Sequence, residues 1–240
     1  HFGAPTPELS KPREAKFLAW LDEIKHDAQI LFLMGDLFDF WHEWKYVVPK
    51  GYVRILGKLA ELKDSGIDIY FFVGNHDLWM KDYLEEEIGI PVFFEKQYYE
   101  ISGKNFLLAH GDGLGPGDKG YKRMKKLFTN PIAQWFFKWL HPDIAMKIAV
   151  YFSTKNKMIS GVEDMKFLGE DKEFLILYSK EKLKSEKIDY FVYGHRHLPM
   201  ILDLKIDENA ANYVNLGDWI SYFTYGVFDG AEFKIEEYKQ

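Results

Sequence analysis

Four short polar clusters, each placed directly after an apolar run of strand length, constrain this chain more than any other feature. They are Gly35-Asp36-Leu37-Phe38-Asp39, Gly74-Asn75-His76-Asp77, His110-Gly111-Asp112 and Gly194-His195-Arg196-His197. The runs before them, residues 29–34, 68–73, 105–109 and 189–193, are apolar and of strand length, as in strands buried on both faces. In sheets covered by helices, loops leaving the carboxyl ends of strands converge on one rim, where side chains remote in sequence meet. A glycine in each cluster marks the turn off the strand.

The donor types agree with one another. Asp and Asn oxygens and His nitrogens are ligands for Mg, Mn, Fe and Zn. A carboxylate such as Asp36 can bridge two cations, Asn75 offers a neutral oxygen, and His110, His195 and His197 offer ring nitrogens, with His1 as a further candidate. A single Gly-Asp after a strand is only a turn. Four clusters of compatible donors imply one shared dinuclear site. His26, His42 and His141 lack the strand-end setting and read as surface or packing residues.

Composition narrows the chemistry. The 240 residues, 47% hydrophobic, suffice for one well-filled domain over 1–240, with room for an inserted subdomain. With no cysteine, disulfides, Fe–S clusters and cysteine nucleophiles are excluded, which is compatible with a reducing cytoplasm. A net charge of -6 disfavours nucleic acid as the main ligand. No obligate protein partner is evident.

The segments between the clusters read as helices. Phe17, Leu21 and Ile24 recur at helical spacing after Pro12, and Ile55, Leu56, Leu59 and Leu62 give an apolar face over 53–62. Alternation of strand and helix predicts a layered α/β fold, with 213–216 and 225–228 as strands of a second sheet. Residues 121–152 interrupt the alternation. They are helical in composition and apolar on nearly every face around Trp135, Phe136 and Trp139, so protein, lipid or a ligand's hydrocarbon should cover them. Pro142 and nearby charges break the run short of the roughly 20 residues that span a bilayer.

Taken in order, the last four motifs resemble the calcineurin-like metallophosphoesterases: Gly-Asp-x-x-Asp, Gly-Asn-His-Asp, a His, and Gly-His-x-His. The resemblance implies a four-layer α/β/β/α sandwich with two divalent cations, Mn first, Fe or Zn also suiting the ligands. Asp36 would bridge them, His1 and His197 would serve one metal, and Asn75, His110 and His195 the other. His76 would lie by the scissile phosphate. Hydrolysis would follow a two-metal mechanism. The family's first motif is Asp-x-His at the end of a first strand, and here the sequence opens at His1, so that Asp and strand are expected to precede it in a longer protein.

His110-Gly111-Asp112, Asp118-Lys119-Gly120-Tyr121, Asn130-Pro131 and Lys147-Ile148-Ala149 narrow the resemblance to the UDP-2,3-diacylglucosamine pyrophosphatases of the lipid A pathway. That group inserts a helical hairpin lid, here 119–158, to hold acyl chains. By this likeness Asp118 and Tyr121 would sit near the glucosamine or phosphate, and Trp135, Phe136 and Trp139 near the lipid. Lys155 and Lys157 would touch the head group. The substrate would be an amphiphilic nucleotide-sugar lipid, and the enzyme cytoplasmic and peripheral to the inner membrane. One departure stands out: His76 occupies the place where that group carries Arg. Rival readings are a metallophosphoesterase acting on another lipid pyrophosphate, a phosphodiester or a phosphoprotein, and a catalytically silent scaffold.

Overall fold

The computed structural model describes residues 1–3, 6–117, 119–160 and 166–239, which form two units. The first comprises His1–Phe94 with Lys122–Ile159, the second Glu95–Tyr121 with Ser160–Gln240.

In the first unit, α1 (Pro7–Ile24) starts earlier than the break expected at Pro12, because Thr6 caps it and Pro7 sits where a missing N–H costs nothing. It leads to β1 (Ile30–Leu33), then α2 (Val53–Asp64), which buries Ile55, Leu59 and Leu62 at the spacing of one helix face. Next come β2 (Asp68–Phe72), the short α3 (Tyr83–Ile88) and β3 (Val92–Phe93). The helical crossovers make β1-β2-β3 a parallel sheet, with Leu31 beside Ile69 and Leu33 beside Phe71. An isolated parallel bridge, Phe2 to Phe38, ties the start of the chain to the loop after β1.

The expected hairpin over 119–158 is three helices: α4 (Lys119–Phe128), α5 (Pro131–Lys138) and α6 (Pro142–Ser160). The two proline positions set the breaks. Asn130 caps α5 by accepting from the N–H groups of Ile132 and Ala133 at 2.8 and 3.2 Å. No helix among the described residues is long and apolar enough to cross a membrane.

The second unit holds β4 (Gln97–Ile101), β5 (Lys104–Ala109), α7 (Phe174–Leu183), β6 (Tyr190–Tyr193), β7 (Met200–Ile206), β8 (Asn209–Asn215), β9 (Thr224–Phe228) and β10 (Phe233–Glu237). Its main sheet runs β4-β5-β6-β8-β7, with β5, β6 and β8 parallel and the outer strands antiparallel. The ribbon β9-β10 forms separately. Leu107, Leu175, Ile176, Phe191 and Tyr213 make the core, where the fully buried Tyr193 hydroxyl meets Ser179 Oγ at 3.0 Å. The molecule is therefore mixed α/β, and the four strands that precede the polar clusters lie as two parallel neighbour pairs, β1 with β2 and β5 with β6.

Candidate metal centre

In the first unit the loops after β1 and β2 are built as one piece. Asp36 takes a left-handed backbone with φ of 56°, and its Oδ1 accepts from the His76 N–H at 2.8 Å. A side chain on Gly74 would run into the Asp36 carboxylate and backbone, so only glycine fits beside it. Asp77, wholly buried, accepts from Leu37 N at 2.9 Å and Gly74 N at 2.7 Å, stapling the two loops together.

His1 is held by its neighbour: Phe2 N donates to Leu37 O at 2.8 Å and Asp39 N to Phe2 O at 2.9 Å. The His1 Nδ1 lies 3.7 Å from Asp36 Oδ2, and its ring centroid is 3.9 Å from that of His76. His1, Asp36 and His76 each bring one donor atom into a group whose members lie within 4.8 Å of one another. Two imidazole nitrogens and a carboxylate fit Mn, Fe or Zn. His76, expected beside the phosphate, is thus also an available nitrogen donor. Its Nδ1 lies 3.1 Å from the Asp39 carbonyl and 3.4 Å from Asp39 Oδ1. A ring nitrogen facing two oxygens carries a proton, so in the neutral ring the lone pair sits on Nε2.

The second unit repeats the device. Gly194 N donates to His110 O at 3.0 Å, joining the loops after β5 and β6. The His110 and His195 rings stand 5.2 Å apart and tilted by 70°, and His110 is buried. His195 has a φ of 23°, an unfavourable value for a residue with a side chain. His197 Nδ1 lies 3.2 Å from Asp218 Oδ2, while Asp218 Oδ1 accepts from the N–H groups of Ile220, Ser221 and Tyr222 at 3.0, 2.7 and 3.0 Å. Burial alone would raise the Asp218 carboxyl, but the bonds from His197 and from those amides outweigh it and hold the pKa at about 2. Asp218 is therefore an anion facing the His197 Nδ1, and in the neutral ring a proton held there puts the lone pair on Nε2.

The expected substrate residues separate into three groups. Tyr121 donates its hydroxyl to Asp112 and stands with its ring 6.3 Å from that of His195. Asn75, expected as a metal ligand rather than a substrate contact, lies half-buried between Gly74 and His76. Trp135, Phe136 and Trp139 are 54%, 64% and 74% exposed, so neighbouring protein does not cover them. Asp118 and the side chains of Lys155 and Lys157 lie outside the described residues.

One aromatic of α5 turns inward. The Phe137 ring packs 4.5 Å from Trp79, 5.2 Å from His42 and 6.0 Å from Phe40, while Trp79 Nε1 donates to Phe128 O at 2.6 Å. Sequence reasoning left Asp39, Asp77, Asp218 and Phe137 without roles. The first two sit inside the quoted motifs. Gly217-Asp218 follows the apolar end of β8 and repeats the grammar of the other clusters.

The chain matches the calcineurin-like phosphoesterase family over residues 11–199. It is 40% identical, across 93% of its length and 88% of the relative's, to a protein of Porphyromonas gingivalis named UDP-2,3-diacylglucosamine hydrolase. Proteins of the same name from Edwardsiella ictaluri and Yersinia pestis are 28% and 26% identical, over 85% and 91% of this chain and 78% and 88% of theirs.

Proposed function

The chain belongs to the calcineurin-like phosphoesterase family, and from that membership we propose that it hydrolyses the pyrophosphate of UDP-2,3-diacylglucosamine to UMP and 2,3-diacylglucosamine 1-phosphate, a step of lipid A biosynthesis. The observation that carries this reading is the 40% identity over 93% of the chain to a relative bearing that activity in its name. The two His/Asp clusters agree with it.

Two divalent cations, Mn by preference, supply the Lewis acidity that activates water and neutralises phosphoryl charge. Asp36 would bridge them, His1 and His197 would hold one, and Asn75, His110 and His195 the other. Asp39 fixes the His76 ring, and in the doubly protonated ring the Nε2–H would hold a phosphoryl oxygen or pass its proton to the leaving oxygen. His76 thereby takes the place of the subfamily's Arg with a group that can also move a proton. Asp218 keeps His197 in the ligating tautomer.

Residues 119–158 act in this reading as a lid on a four-layer sandwich. Trp135, Phe136 and Trp139 would receive acyl chains, which agrees with exposure too extensive for a surface that meets only water. Asp118, Tyr121, Lys155 and Lys157 would contact the polar head. The same apolar surface would rest on the cytoplasmic face of the inner membrane. The test is UMP release from UDP-2,3-diacylglucosamine with Mn, beside an EDTA-treated control and a generic phosphodiester. Metal-dependent release far above generic turnover is expected. Generic turnover alone would discard the lipid substrate, and silence on both would discard the enzyme.

A further inference from the structure

We propose that Arg196 and Glu173 are positioning residues for the metal-binding turn of the second unit, acting through the backbone that joins His195 to His197; this rests on the metallophosphoesterase reading above. Arg196 occupies the open position of the Gly-His-x-His motif, which the motif itself leaves to any residue. It is buried, 7% exposed, against a Glu173 that is 3% exposed. One guanidinium nitrogen donates to Glu173 Oε1 at 3.0 Å and to the Lys166 carbonyl at 2.7 Å. The same Glu173 oxygen accepts from Leu168 N at 3.0 Å. Segment 166–173 is thus fastened to the turn by a charged pair removed from water.

Such a pair is a poor way to gain stability, because the cost of desolvating both charges offsets their attraction, and an apolar pair of the same volume would serve as well. What it offers is direction. His195, immediately before Arg196, holds its φ of 23°, a conformation that persists only where surrounding contacts over-determine it. The anchored guanidinium grips the turn on one side of that residue. On the other side the first residue of α7, Phe174, sets its ring 6.0 Å from the His195 ring, and Leu175 fills the space beside Gly111. Glu173 is the N-cap residue of this helix. One residue therefore joins the Arg196 anchor to the helix end that walls the His110 and His195 loops.

The experiment pairs metal affinity with folding. Mn titration and the visible spectrum of the Co-substituted protein report the site, and the thermal midpoint of the EDTA-treated protein reports the fold. The double variant Arg196→Met with Glu173→Leu removes both charges together. We expect its apo midpoint to stay near wild type while Mn affinity falls about 10–100-fold and the Co spectrum changes. Glu173→Gln keeps an oxygen for Arg196 and Leu168, and its affinity should return to within about threefold of wild type. Wild-type Mn affinity and an unchanged Co spectrum in the double variant would overturn the proposal and leave the pair merely structural. Should the double variant not fold, Arg196→Lys against Glu173→Gln decides the same point. The lysine keeps the charge and loses the rigid guanidinium, so it should bind Mn more weakly than the glutamine variant, and equal affinities would overturn the proposal. A wild-type protein that binds no Mn would instead defeat the metallophosphoesterase reading on which the inference rests.

Discussion

His42 should give this protein an acid sensitivity that a single substitution removes. The ring is 0% exposed, neither nitrogen has a hydrogen-bond partner, and the rings of Trp44, Trp79 and Phe137 stand around it at 4.5, 5.3 and 5.2 Å. Burial, with smaller contributions from the nearby Lys81 and Lys138, lowers its pKa from 6.5 to about 4. The folded protein therefore binds fewer protons than the unfolded chain between those values. The stability this represents is complete above pH 6.5 and is lost as pH falls toward 4. Between pH 7.5 and pH 5.0 the loss amounts to about 2 kcal/mol. His42→Phe keeps an aromatic ring in the cage and has nothing to protonate. Its stability at pH 7.5 should lie within about 1 kcal/mol of wild type, since the lost polar desolvation offsets the added bulk. Urea unfolding of the EDTA-treated proteins at the two pH values is the assay, because every other titrating group is shared and cancels in the difference. The wild-type midpoint should fall by about 1 M more than that of the variant. Parallel pH dependence in both proteins would refute the reasoning.

Three further outcomes are expected. Asp36→Ala should abolish turnover and bound metal together, and retention of two ions by elemental analysis would remove its bridging role. Asp218→Asn should lower Mn affinity about 10–100-fold with little change in KM, because His197 loses the anion that fixes its tautomer; calorimetric titration checks this. Replacing Trp135 and Phe136 by Ser should leave a small soluble diester untouched while cutting turnover of the diacyl substrate, and equal losses on both would make the helices structural only.

The strands and the donors were legible because each is a local pattern: an apolar run, then a glycine, then Asp, Asn or His. β1, β2, β5 and β6 all lie where that pattern places them. What was illegible depends on long-range pairing. Asp39, Asp77 and Asp218 hold the loops that carry these clusters through contacts with His76, Leu37, Gly74 and His197, and no spacing rule states which of them turns inward. Helix α5 makes the same point in reverse. Its aromatics cover nearly every face in sequence, yet among the described residues only Phe137 of this helix meets the socket of Phe40, His42 and Trp79, since a helix of eight residues presents a single turn toward it. The start of α1 moved because the Thr6-Pro7 signal outranks a proline later in the helix.

The staple made by Asp77 also bears on how the protein handles its ions. Two amides from separate loops converge on a carboxylate with no place among the proposed ligands, so the spacing of Asp36 and Asn75 is settled when the chain folds. The ordering entropy is spent then, and ion uptake meets a cradle already shaped. Chelation should therefore empty the first unit's site without unravelling it, and dialysis alone should exchange one divalent ion for another, with no refolding step between them.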